Sequence, residues 1–525
     1  MGVFLFVEPY MTFKISNMLR PDVYDHPVTD IRLIETHISW VILTGEYAYK
    51  IKKPVDFGFL DFSTLKKRQR YCEHELRLNR RLAPDIYLDI VTINGSADEP
   101  HLSGDGEVLE FAVKMTQFPQ SAQLDNMLAA DELTFEHMDA FALMIADFHQ
   151  QVEVANSSAD YGDNKLVFQP VEENYRQIKQ HIDTTAYNAT LQKISKWSRS
   201  VSIQLDADFK QRKHDGFIRE CHGDMHLRNM VWLKGLPMAF DCIEFNATLR
   251  WIDVLSEVAF LVMDLQDRQQ QQFANHFLNS YLEITGDYAG LSILPFYLAY
   301  RAMVRAKVNA LRLEQENINI EEEQQARLSF ESYLDLALSY TEQAPPKLII
   351  MRGLSASGKS TLSQQLVDSI AAIRIRSDVE RKRMFDHGHS GDTHSGVDQG
   401  IYSSQSSVQT YSRLQTLASD ILNSGYSVIV DAAFLKHEQR KPFQLLAESL
   451  DLRYNIIEIT APVEILRQRI IARKNDVSDA DIAVLEHQLS SWQPLLDSEL
   501  ASAIAVNTAE PFDVDTLIEK VNAKD

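Results

Sequence analysis

The residues best suited to chemistry in this sequence fall in two runs. The first is His222-Gly223-Asp224-Met225-His226-Leu227-Arg228-Asn229, followed by Met230-Val231-Trp232 and then Met238-Ala239-Phe240-Asp241. It sets a carboxylate, an amide five positions later, and a second carboxylate at the end of an apolar strand. Phosphoryl transfer from Mg-ATP needs such a set: one carboxylate to orient or deprotonate a hydroxyl, and an amide oxygen and another carboxylate to hold metal. An Asp/His-rich loop with satisfied hydrogen bonds is the plainer alternative. The second run, Gly353-Leu354-Ser355-Ala356-Ser357-Gly358-Lys359-Ser360-Thr361, fits G-x-x-x-x-G-K-[ST] and follows the apolar Leu348-Ile349-Ile350-Met351. Strand, glycine loop and helix together make a phosphate cradle, with backbone N–H groups turned inward at a helix N-terminus. Lys359 would reach the β/γ-phosphates of ATP, and the Ser360 hydroxyl would hold Mg²⁺.

Further candidates follow this loop. A short strand at Ile373–Ile375 closes on Arg376-Ser377-Asp378, where Asp378 could act as base toward a hydroxyl, or simply cap a helix. Arg381, on the same helical face, could hold an anionic acceptor. Tyr426 to Asp431 is an apolar strand ending in a carboxylate placed to approach Mg²⁺. Arg467, Arg469 and Arg473 suit a lid over transferring phosphates, one or two of them facing solvent. The stretch 386–400, with His387, His389 and His394, reads as a substrate-covering loop.

These residues need positioning elements, and the hydrophobic pattern supplies them. Ile38, Trp40 and Ile42 alternate, Gly45 offers a turn, and Tyr47, Tyr49 and Ile51 alternate again, so Lys50 and Lys52 share the opposite face. Thr64 to Leu82 reads as a helix with Tyr71, Leu78 and Leu82 as its apolar face and Glu73 and Glu75 among its acids. Tyr87 to Ile93, a turn at Asn94-Gly95, and Val108 to Met115 read as a hairpin. From Ile252 to Gln343 the pattern is helical. Leu255, Val258, Ala259, Leu261 and Val262 make one apolar face, and Tyr300, Val304, Val308 and Leu311 another. Ala344-Pro345-Pro346 breaks the pattern, giving expected domains of 1–343 (core about 30–340) and 347–525 joined by a 344–346 linker.

With these motifs in hand, residues 30–340 resemble the aminoglycoside phosphotransferase family, whose members share the protein-kinase-like fold. The resemblance implies Asp224 as catalytic base, Asn229 and Asp241 as Mg²⁺ ligands, and a strand lysine paired with a helix glutamate. Lys50 and Glu75 are that pair, with Lys52 and Glu73 as alternatives. Only Gly45 precedes Lys50 where the family has a glycine-rich loop. From Lys347 onward the chain resembles the small P-loop kinases that act on polynucleotide 5′-hydroxyls or gluconate, and zeta-toxin-like proteins. That likeness carries over Lys359, Ser360, Asp378, Arg381 and the lid arginines. Taken whole, the sequence resembles the bacterial bifunctional aminoglycoside phosphotransferase/ATP-binding proteins. The implied fold is an α+β kinase-like domain followed by an α/β P-loop domain with a parallel sheet, and the implied cofactors are ATP and Mg²⁺.

Composition narrows the partners. At 525 residues more than one core is expected. The net charge of −22 argues against a nucleic-acid partner, and neither half has a basic excess. The acceptor is expected to be a hydroxyl-bearing small molecule, with a regulatory ATPase or a nucleic-acid 5′-hydroxyl kinase as alternatives. No apolar run approaches the ~20 residues that span a bilayer. Three cysteines, Cys72, Cys221 and Cys242, make no disulfide framework, so a cytoplasmic location is expected.

Overall fold

The computed structural model describes residues 14–57, 60–314, 318–342, 344–385, 404–472 and 482–523. The 386–400 loop and Arg473 lie outside the described residues. The chain divides into two compact units, one of Met1–Pro170 with Phe209–Leu261, the other of Val171–Asp208 with Val262–Asp525. The first is α+β and protein-kinase-like. The second is built on an α/β P-loop domain with a parallel sheet.

In the first unit, β1 (Arg32–Glu35), β2 (Ser39–Leu43), β3 (Tyr47–Lys52), β4 (Tyr87–Gly95), β5 (Pro100–Leu102) and β6 (Val108–Thr116) form an antiparallel sheet ordered β1-β2-β3-β6-β4-β5. Alternation along β3 sends Tyr49 and Ile51 into a core with Ile42, Ile93 and Ala112. Ala48, Lys50 and Lys52 face the other way, toward Cys72 and Glu75 of α1 (Leu65–Asn79). The Thr64 hydroxyl caps α1 by accepting from Lys67 N–H at 3.3 Å.

Two expectations change here. The buried face of α1 is Arg68, Cys72, Glu75, Leu78 and Asn79: Leu78 and Leu82 are buried as expected, but Tyr71 is only partly so and Leu82 lies past the helix end. Its polar members are buried because they are paired, Arg68 with Glu110 at 2.7 Å and Asn79 with the Glu75 carbonyl at 2.9 Å. Also, β4 and β6 pair as expected, but Asn94-Gly95 does not close a two-residue turn: β5 folds back on β4 before β6 begins.

Helix α2 (Phe135–Gln151), then β7 (Ile218–Glu220), β8 (Met230–Leu233), β9 (Leu236–Ala239), β10 (Trp251–Asp253) and α3 (Val254–Asp267, the part up to Leu261) complete this unit. β8 and β9 form a hairpin, and β7 pairs with β10.

In the second unit, β11 (Lys347–Arg352), β12 (Ala372–Arg376), β13 (Ser427–Asp431), β14 (Arg453–Thr460) and β15 (Ala503–Asn507) form a parallel sheet ordered β12-β13-β11-β14-β15. β11 is buried on both faces, which is why it reads as an unbroken apolar run. Ile349 and Met351 pack with Leu362, Leu366 and Val367 of the helix after the glycine loop.

The same unit contains α4 (Gln271–Thr285), α5 (Leu294–Leu313), α6 (Lys359–Ser369), α7 (Ser377–Met384), α8 (Val463–Ala472) and α9 (Ile482–Ser491). On α5 the expected face is partly exposed, with Val308 at 45% and Leu311 at 36%. Its buried residues include the small Ala299, Ala302, Ala306 and Ala310, and the helix Ile320–Ser339 packs against α5.

Helix α4 docks on β12, an edge strand. The Asn279 amide accepts from Arg374 N–H at 2.7 Å and donates to the Ala372 carbonyl at 3.0 Å, satisfying backbone groups that no neighbouring strand meets. His276 Nδ1 lies 2.9 Å from Asp368 on α6.

Candidate active sites

In the first unit the loop between β7 and β8 carries Asp224 and Asn229. Asn229 Nδ2 donates to the Asp224 carbonyl at 3.0 Å and to its Oδ2 at 2.9 Å. With Nδ2 committed, Oδ1 is the atom that remains to meet a cation. His226 Nε2 lies 3.4 Å from the same Asp224 oxygen.

The loop backbone is held by Glu257 of α3. Its Oε1 accepts from His222 N–H at 3.1 Å and lies 3.1 Å from His149 Nε2, while Oε2 accepts from Gly223 N–H at 2.5 Å. Burial pushes the Glu257 carboxyl up, but His149 and the Gly223 N–H outweigh it and hold its pKa at about 2. Gly223 needs to be glycine: its φ is +90°, and a Cβ would stand 2.6 Å from the Leu249 carbonyl. The Asp224 N–H lies 3.3 Å from His222 Nδ1, so that nitrogen accepts and Nε2 donates to the Phe240 carbonyl at 2.9 Å. Burial depresses the His222 pKa, which favours this neutral form.

Asp241 follows β9 with a left-handed φ of +64°. The turn is fixed by two backbone donors, Asp241 N–H to Tyr87 Oη at 3.1 Å and Cys242 N–H to Asn79 Oδ1 at 2.8 Å. The Asp241 side chain remains 47% exposed and that of Asp224 35%.

The structure brings Lys50 between Glu75 Oε1, at 2.7 Å, and Asp241 Oδ1, at 2.5 Å. Lys52 reaches Glu75 Oε2 at 2.7 Å and also pairs with the buried Glu244. Both lysines therefore meet Glu75, while Glu73 is exposed beside Gln69. Burial alone would lower the Lys50 pKa, but Asp241 and Glu75 outweigh it and keep the ammonium charged. Burial likewise raises Glu75, and the two lysines more than reverse that. Glu244 differs: burial leaves its pKa above the ordinary value. For Mg²⁺ the Asn229 amide oxygen and the exposed Asp241 carboxylate are hard oxygen donors, which fits that ion.

In the second unit the glycine loop joins β11 to α6, with Gly358 as N-cap at φ +94°. Lys359 Nζ donates to the Leu354 carbonyl at 2.7 Å. Ser360 and Thr361 are exposed at the helix start. Asp431 ends β13 in register with Met351 of β11 and Arg376 of β12. The Ser363 hydroxyl lies 3.1 Å from both the Ser360 carbonyl and Asp431 Oδ2, tying that carboxylate to α6. The serine hydroxyl and the carboxylate again make an oxygen donor set that fits Mg²⁺. Asp378 sits in the first turn of α7 and Arg381 one turn on, 3.7 Å from it. These groups gather at the carboxyl ends of parallel strands, where α/β folds bind ligands.

The arginines divide. Arg467 pairs with exposed Glu486. Arg469 braces the loop from α8, donating to the Ala356 carbonyl at 3.3 Å, Thr508 Oγ1 at 3.0 Å and the Thr508 carbonyl at 2.8 Å. Thr508 Oγ1 in turn donates to the Ser357 carbonyl at 2.7 Å. Arg376 and Arg374 both reach Glu283 of α4, at 2.9 and 3.2 Å.

Sequence reasoning missed Glu257, Glu244, Glu283, Ser363 and Thr508. The two helix glutamates did leave a signal, each being a lone carboxylate in an apolar helical stretch, Val254-Leu255-Ser256-Glu257-Val258 and Tyr281-Leu282-Glu283-Ile284. Such a residue must find donors if it is buried. Ser363 and Thr508 left none.

The family described as AAA domain matches residues 348–495. Among solved structures, an amicoumacin kinase in complex with AMP-PNP is similar at 14% identity, covering 62% of this chain and 90% of that one, TM-score 0.37. A putative kinase from Chloroflexus aurantiacus is similar at 24% identity, covering 34% of this chain and 98% of that one, TM-score 0.28. An uncharacterized protein of Mycobacterium tuberculosis and one of Mycobacterium bovis are each 32% identical over 476 residues, 89% of this chain and 92% of theirs. At that identity over nearly the full length of both, the chain belongs to one family with these mycobacterial proteins, the two-part family its motifs resemble: the bifunctional aminoglycoside phosphotransferase/ATP-binding proteins.

Proposed function

We propose that the chain is an ATP-dependent phosphotransferase with two Mg-ATP sites, one built on Asp224, Asn229 and Asp241 and one on the loop Gly353–Thr361. Residues 1–343 form the aminoglycoside-phosphotransferase-like part and 347–525 the P-loop kinase. The observation that carries this reading is the chain of ion pairs from Glu75 through Lys50 to Asp241, in the unit that also holds the Asp224–Asn229 pair.

In the first site Lys50, kept charged by two carboxylates, is a cation for nucleotide phosphates. Asn229 and Asp241 would hold Mg²⁺, which when bound neutralises charge on the phosphate oxygens. Asp224 accepts the proton of the acceptor hydroxyl as its oxygen bonds to the γ-phosphorus and the bond from that phosphorus to the β–γ bridging oxygen breaks, releasing ADP. Asn229 Nδ2 donates to Asp224 Oδ2 and His226 lies beside the same oxygen, which holds the carboxylate in place. In the second site the loop N–H groups and Lys359 hold the phosphates, Ser360 and Asp431 would hold Mg²⁺, and Asp378 takes the hydroxyl proton. Arg381 offers a charge to an anionic acceptor.

Among the described residues no helix is long and apolar enough to cross a membrane. We place both reactions in the cytoplasm, on small hydroxyl compounds rather than nucleic acid, in keeping with the net charge of −22. The test is a γ-labelled ATP screen of the full chain against sugars, nucleosides, oligonucleotides and aminoglycosides. Label should pass to a small hydroxyl compound and be lost when Asp224→Asn and Asp378→Asn are combined. Transfer unaffected by both substitutions would overturn the reading.

A further inference from the structure

One residue outside the glycine loop is held against its phosphate end. Gln488, on α9, accepts the Ser355 N–H through Oε1 at 2.7 Å. The carbonyl on the other side of that same peptide bond, Leu354, accepts from Lys359 Nζ at 2.7 Å. A phosphate-loop lysine serves the β/γ end of the nucleotide. The Leu354–Ser355 peptide therefore marks that end, and Gln488 lies beside it.

The orientation of the amide is settled by chemistry. A backbone N–H can bond only to an acceptor, so the oxygen of Gln488 is the atom on Ser355 and Nε2 is left with its protons. Among the described residues Nε2 has no hydrogen-bond partner.

The element that brings Gln488 there is fixed. Leu485 of α9 is buried. Just past the helix, Gln493 N–H donates to the Leu435 carbonyl at 3.0 Å, and Gln493 Oε1 accepts from His437 N–H at 2.9 Å. The Gln493 carbonyl accepts from Arg352, the residue before Gly353, and Arg352 stacks 3.9 Å over Trp492. The segment from Gln488 to Gln493 is thus tied to both ends of the run Arg352–Ser355.

We propose that Gln488 is a γ-phosphate-binding residue of the P-loop site, anchored through Oε1 on Ser355 N–H and donating from Nε2 to the terminal phosphate of ATP. This rests on the reading of that loop as an ATP site and adds a residue that distinguishes triphosphate from diphosphate. A neutral amide suits the position, since it can accept from the loop and donate to the anion at once. A carboxylate could accept but would repel the phosphate.

The test is calorimetric titration of Mg-ATP and Mg-ADP into the full chain, in an Asp241→Ala background so that the P-loop site reports. Gln488→Glu keeps the anchor and removes the donor, and it should weaken ATP at least tenfold while ADP changes less than threefold. Gln488→Leu should weaken ATP several-fold, again with ADP nearly unchanged, and answers the question if the glutamate variant does not fold. Equal losses for both nucleotides would make Gln488 a brace of the loop and overturn the proposal, as would no loss at all. Adding Lys359→Ala gives the separate control. If ATP still binds then, it is the phosphate-loop reading that fails.

Discussion

Asp224 and Asp241 meet different neighbours, and substitution should separate them. Asp224 is gripped by Asn229 and stands ready for an acceptor, so Asp224→Asn should leave ATP binding nearly intact while turnover in the first site falls by roughly 10²–10⁴, as for a lost general base. Asp241 touches Lys50 and would hold metal, so Asp241→Ala should weaken Mg-dependent binding itself. Calorimetry and steady-state turnover on the same preparations check the pair. Equal effects on binding from both variants would remove the assigned roles. At this scale the motif residues were legible in the sequence, because Asp224, Asn229 and Asp241 are spaced in one short run. Glu75 was legible only as one of two acids. The register of α1 decides it, burying Glu75 between two lysines and turning Glu73 to solvent.

Helices α3 and α4 show what periodicity does not reveal. The apolar face of α3 reads correctly as core, yet α3 also buries Glu257 under the Asp224 loop, and α4, for which no face was read, sets the partly buried Glu283 beside β12. Glu257 is held at about 2 and His222 is depressed by burial, both below unfolded values of about 4.3 and 6.5. As pH falls the unfolded chain takes up protons first, so this contribution is complete above about pH 6.5 and lost progressively toward pH 2. Melting temperatures across that range should fall with acid. In Glu257→Gln the lower part of the decline should flatten, from a protein already less stable by a few kcal/mol. On α4, Asn279→Ala strips the Arg374 N–H and the Ala372 carbonyl of their partner, at a cost of about 1–3 kcal/mol for buried unmet groups. Faster hydrogen exchange confined to β12 and α6 should report it. Unchanged exchange there would mean that α4 does not secure the edge strand.

Across the whole molecule, the alternating and apolar runs read as strands do lie in the two sheets, though β5 and β15 were not read, and a break was expected at Pro345-Pro346. What the sequence did not indicate is that residues 271–285, well before that break, pack on the parallel sheet. Side-chain amides and carboxylates make that contact, and they carry no periodic signal. A fragment of residues 345–525 should therefore melt at a lower temperature than one of 262–525, since it leaves the partners of His276, Asn279 and Glu283 bare. The central claim, two ATP sites in one chain, is tested most directly by the stoichiometry of Mg-ATP binding to the intact protein. Calorimetry should find about two nucleotides per chain, about one in Lys359→Ala, about one in Asp241→Ala, and none when the two substitutions are combined. A stoichiometry near one in the unmodified chain, unaffected by Asp241→Ala, would contradict the account and leave the first unit without a nucleotide site.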